Sequence, residues 1–147
     1  MKKIYYILMV LLVACNSNKT PETTLKEFVN YRFKSGQSRS DILKMVTGTV
    51  EERISNMTDE EFEKFTEVES LQRKKFKVNI KNCEAEKCFL TYTVGYSDNL
   101  TDSSYAVEAR KIATLLKEGK VWKIADVNNV KTAIDTKDAI EAPVEKK

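Results

Sequence analysis

Leu25, Phe28, Val29, Arg32 and Phe33 recur at the i, i+3, i+4 spacing of a helix, and Thr20-Pro21-Glu22 stands before them as a start signal. The Thr hydroxyl caps a free N–H, Pro gives up an N–H that has no intrahelical partner, and the carboxylate faces the positive helix end. Gly36 ends the stripe. A shorter helix is predicted from Ser38 or Ser40 through Ile42, Leu43, Met45 and Val46. Thr49 to Glu52 and Thr58 to Glu61 each read as a capping box, with Val50 and Ile54 facing inward in one and Phe62 and Phe65 in the other. From about Glu69 the period changes to alternation: Phe76, Val78 and Ile80 mark one strand, Leu90, Tyr92, Val94 and Tyr96 a second, and Tyr105, Val107 and Ala109 open a third. Glu118-Gly119 reads as a two-residue hairpin turn, which sets Leu115 opposite Trp122, Ala113 opposite Ile124 and Leu116 opposite Val121. Beyond Asn128 the pattern weakens. Val130, Ala133 and Ile134 suit a helical turn, and 131–147 reads as a C-terminal tail.

The opening residues follow another rule. Lys2 and Lys3 form a basic start, Ile4 to Val13 an apolar run, and Leu12-Val13-Ala14-Cys15 a small-residue exit, which is a secretory leader over 1–14. A run of about ten residues is half of what spans a bilayer. The exit resembles the lipobox of bacterial lipoproteins. That resemblance implies a lipid on the Cys15 thiol, cleavage before it and acylation of the new terminus, since lasting attachment takes two or more chains. With 15–19 as the tether, at about 3.5 Å per extended residue, a domain beginning at residue 20 is held within roughly 20 Å of its anchor. The implied location is the cell envelope. Asn16 is not the aspartate that retains some lipoproteins at the inner membrane, so the resemblance points to the outer one.

Composition narrows the choices. Hydrophobic residues at 41% and charged ones at 32% are globular values, with one domain expected over 20–130. Lys2 and Lys3 supply two units of the formal net charge of +3 and leave +1 to the rest, which gives no electrostatic case for nucleic acid. The chain has no His, so the commonest general base and metal ligand is missing, and no metal or cofactor is expected.

Helical pieces followed by a meander of four strands resemble the nuclear transport factor 2-like superfamily, in its small bacterial lipoprotein branch. The parts that carry the likeness are the opening TPETTLKEFVNYRF and the closing LLKEGKVWKIADV. The resemblance implies an α+β fold, with helices packed on the concave face of a curved antiparallel sheet and a pocket where they fail to fill it. Relatives use that pocket as an isomerase or dehydratase site, or bind ligands or partners, and fold alone does not choose.

Phe28, Tyr92, Tyr96, Tyr105 and Trp122 stand where side chains line such a pocket, although alternating aromatics also build plain cores. Asp41, Glu108 and Asp126 are the carboxylates an acid–base pair would need, but they read as surface charge, so no catalytic residue is expected. Cys83 and Cys88 have neither the spacing of a redox motif nor the company of a zinc site. A hairpin disulfide suits an oxidising envelope. Direct pairing of Cys83 with Cys88 turns the apolar rows of the two strands to opposite faces, so the bridge requires a bulge near the turn. Arg73, Lys74, Lys75 and Lys77 read as a solvated strand edge or as a contact for anionic head groups. Asn56 and Asn99 match a glycosylation pattern by coincidence. The expected function is a non-catalytic module anchored to the membrane, meeting an envelope protein near the lipid or, alternatively, a small molecule in the pocket.

Overall fold

The computed structural model describes residues 19–68, 71–98 and 105–136. The leader, Cys15 with the tether up to residue 18, the Asn99 triplet and the tail from 137 lie outside them. Helices α1 (Pro21–Arg32), α2 (Arg39–Met45), α3 (Gly48–Asn56) and α4 (Asp59–Thr66) precede strands β1 (Leu71–Cys83), β2 (Lys87–Asp98), β3 (Tyr105–Glu118) and β4 (Val121–Thr136). The strands form one curved antiparallel sheet in chain order, and the helices cover one face of it.

Local chemistry sets most helix starts. The Thr20 hydroxyl accepts from the Thr23 N–H at 3.2 Å, and Ser38 does the same for Asp41 at 3.1 Å. Thr58 and Glu61 close a reciprocal box, at 2.8 Å for the Thr58 N–H to the carboxylate and 3.2 Å for the Glu61 N–H to the hydroxyl. Thr49 does not open α3. The helix starts one residue earlier, at Gly48, with Thr47 as its N-cap residue. There the Thr47 N–H donates to the Ile124 carbonyl at 2.8 Å and its hydroxyl donates to Glu118 at 2.6 Å, so tertiary contacts replace the side-chain cap. Gly48 takes φ +56° while passing close to Ala125, where an added Cβ would stand 3.6 Å from the Ala125 side chain.

The core lies between α1, α2 and α3 and the inner row of the sheet. Leu25, Ile42 and Ile54 from the helices and Leu90, Leu115 and Ile124 from the strands are fully buried there. Val46 makes a parallel bridge to Ile124 and so covers part of the β4 edge, leaving β1 as the open edge among the described residues.

Cys83 pairs directly with Cys88, their sulfurs at disulfide distance. Ile80 pairs with Thr91 but Val78 with Tyr92, so Asn79 is the extra residue of a bulge. Its effect is to keep Phe76 and Val78 on the inner face while Ile80 turns outward, 62% exposed. The β3–β4 turn differs by one residue from expectation. Gly119-Lys120 is the turn, Glu118 faces Val121 and Lys117 faces Trp122. Gly119 carries φ +62°, which matches a two-residue turn with glycine at its first central position. That register sets Leu115 opposite Ile124, and a shift between Leu115 and Thr114 then sets Ala113 opposite Val127. Val130, Ala133 and Ile134 lie in β4, which continues to Thr136, so the first residues assigned to the tail and the helical turn suggested there are strand.

Candidate functional site

A cleft of about 310 Å³ lies between the C-terminal end of α1 and the sheet. Val29, Arg32 and Phe33 supply the helix side, Val68 and Leu71 the flank, and Tyr92, Val94, Tyr96 and Lys111 the floor. A larger depression of about 550 Å³ between the Ser35–Gln37 loop and α4 is lined by Glu60, Glu63, Glu67 and other mostly exposed groups. It lacks the apolar walls of a ligand site.

Arg32 follows the buried stripe of α1, which is why a cation reaches this position at all. Its guanidinium donates to the Phe65 carbonyl at 2.7 Å and to the Gln37 side-chain oxygen, and lies 3.8 Å from the centre of the Phe65 ring. Burial lowers its pKa to about 10, still charged at neutral pH. Gln37 in turn donates to the carbonyls of Arg32 and Lys34 at 3.2 and 3.0 Å, which satisfies the end of the helix.

Lys111 belongs to the inner row of β3, between Ala109 and Ala113, and faces Tyr92 on one neighbour and Asn129 on the other. Burial alone moves its ammonium below the ordinary lysine value. Burial also holds the Tyr92 phenol well above its ordinary value, so it stays a neutral hydroxyl. The Tyr92 ring packs 5.8 Å from Phe76, and at the mouth Tyr96 packs 5.7 Å from Phe33. Among the described residues, no carboxylate lies within ion-pair distance of Arg32 or Lys111.

Of the aromatics chosen from the sequence, Tyr92 and Tyr96 line this cleft. Phe28 sits one turn back in the core, 7% exposed, with no access to it. Trp122 lies at the opposite end of the sheet, beside the hairpin turn and under Lys117. The Tyr105 side chain lies outside the described residues. The three carboxylates are elsewhere too. Asp41 pairs with Lys44 at 2.8 Å, Glu108 with Lys75 at 3.2 Å on the outer face, and Asp126 accepts from Asn128 at 2.5 Å. The sequence reading missed Arg32 and Lys111 as lining. The signal was present: each is a long cation at a position whose periodicity calls for an apolar side chain.

Of the basic run, Lys75 pairs with Glu108 and Lys74 donates to Gln72 at 2.8 Å, while Arg73 and Lys77 stay exposed along the open edge. No helix among the described residues is long and apolar enough to cross a membrane. No protein-family model, no curated protein and no solved structure matches the chain.

Proposed function

We propose that this chain is a lipid-anchored envelope protein whose domain is a nuclear transport factor 2-like cone, working as a non-catalytic binding module with the Arg32–Lys111 cleft as its site. The cleft is the observation that carries this reading. It has apolar and aromatic walls with a few convergent polar groups, which is the common composition of a small-ligand site. Helices gathered on one face of a four-stranded meander, with a space at the helix end, support the cone. Anchoring rests on Lys2, Lys3, the apolar run and Leu12-Val13-Ala14-Cys15.

The two halves of the proposal fit together. The tether joins at the start of α1, and the cleft opens at its other end, 12 residues on, or about 18 Å at ~1.5 Å per residue. A ligand then enters from water, away from the tethered end. Binding is favoured over turnover because Asp41, Glu108 and Asp126, the carboxylates considered for an acid–base pair, sit outside the cleft.

A second reading, contact with an envelope protein, draws on the face of the sheet that none of the described helices covers. Ile80 and Phe89 are 62% and 41% exposed there, beside half-buried Ile112 and Leu116. A thermal-shift screen on the membrane-tethered chain separates the two, because a ligand raises the melting point by mass action without a partner. A melting point that no small molecule moves, together with one protein recovered reproducibly by cross-linking and lost on Ile80→Ser/Phe89→Ser substitution, would select the second. Labelling with palmitate tests the anchor, and label retained on Cys15→Ser would remove it.

A further inference from the structure

Among the described residues, the cleft carries positive charge with no carboxylate paired to it, against apolar walls. In the inner row of β3, Val107, Ala109, Ala113 and Leu115 are all buried and apolar, and Lys111 alone is charged. Its cross-strand neighbours, Tyr92 and Asn129, are neutral. The second cation, Arg32, uses two of its five N–H donors on Gln37 and the Phe65 carbonyl, which hold the guanidinium at the cleft wall and add its positive field there. Among the described residues no carboxylate is within ion-pair distance of either cation: Glu108 is on the opposite face with Lys75, and Glu118 is at the far hairpin with Lys123. An ammonium held half out of water with no anion beside it is costly, and a bound anion removes that cost.

We propose that the cleft takes a small amphipathic carboxylate, its acid group on the Lys111 ammonium within the field of Arg32 and its aromatic or branched apolar body between Phe33, Val94 and Tyr96. This rests on the reading of the cleft as a binding site and adds the chemistry of what it holds. The apolar walls reject free phosphate and sulfate, which have no body to bury, and the roughly 310 Å³ volume excludes long acyl chains.

The test uses the full-length chain in lipid nanodiscs, titrated by calorimetry with indole-3-acetate, 1-naphthoate and 4-methylpentanoate, each beside its neutral amide. At least one acid is expected to bind about ten-fold or more tighter than its amide, the worth of one charge-assisted hydrogen bond. Lys111→Met is expected to bring that acid down to the affinity of the amide, Lys111→Arg to retain the preference, and Lys77→Met, on the outer edge, to change nothing. Equal binding of acid and amide, or a preference that survives Lys111→Met, overturns the carboxylate inference and leaves the cleft as a site for neutral ligands. No binding of any acid or amide at millimolar concentration overturns both.

Discussion

Lys111 stands directly opposite Tyr92 across the β2–β3 ladder, on the face that the helices cover. One supplies a charge and the other a neutral hydroxyl, each with its pKa moved by burial toward the uncharged form. A sheet whose only task was to pack against α1 gains nothing from this pair, because an apolar side chain at 111 would cover the same surface without the desolvation.

Replacing the ammonium should therefore stabilise the domain. Lys111→Met keeps the length of the stem and is expected to add about 0.5–1 kcal/mol to the unfolding free energy, a modest gain because the charge is half in water. Lys111→Ala removes the stem as well and is expected to lose stability. Urea denaturation measures both, and a Met variant weaker than the parent would mean that the ammonium has an anion already.

The helix caps give a paired comparison. Thr58 closes a reciprocal box, so Thr58→Ala is expected to cost about 1 kcal/mol. Thr49 sits inside α3 and exposed, so Thr49→Ala is expected to stay within about 0.5 kcal/mol of the parent. Equal losses in thermal unfolding would place the start of α3 at Thr49 after all.

Deletion of Asn79 removes the bulge without disturbing either flank, since Val78 keeps Tyr92 and Ile80 keeps Thr91. The expected loss is about 1 kcal/mol, the worth of the 2.8 Å bond from Asn79 to the Thr93 hydroxyl. Cys83 stays opposite Cys88, so alkylation and mass spectrometry of the variant produced in an oxidising compartment should find both thiols protected. Free thiols in the variant but not in the parent would show that the bulge itself aligns them.

Tyr92 makes an alkaline prediction. Its folded pKa lies above the ordinary 10.0, so above pH 10 the unfolded chain loses a proton that the native chain keeps. Native stability then falls as pH rises. Tyr92→Phe cancels that slope, and its stability relative to the parent should grow by about 1.4 kcal/mol between pH 9 and pH 11. Arg32 acts in the opposite sense over the same range, because burial lowers it to about 10 and the native chain releases its proton first. Taking the difference between variant and parent removes that contribution. A difference flat with pH would place the phenol in water.

The sequence alone determined the elements whose causes are local. Thr20-Pro21, Ser38 and Thr58 start helices because the groups they satisfy lie within three residues of them, and the alternation of β2 names its inner row because side-chain direction in a strand repeats every second residue. It also required a bulge if Cys83 pairs with Cys88, since facing and spacing are countable, but placed it near the turn and not at Asn79, where it leaves Ile80 outside. Tertiary structure decided what depends on distant partners. Thr47 rather than Thr49 precedes α3 because Ile124 and Glu118 claim its polar groups, and β4 runs on to Thr136 because β3 offers a ladder that the local pattern past Asn128 does not announce. The cleft belongs to this second kind. Its cations come from residues 79 positions apart, Arg32 and Lys111, and they share a space only because the end of α1 is packed over the inner row of the sheet.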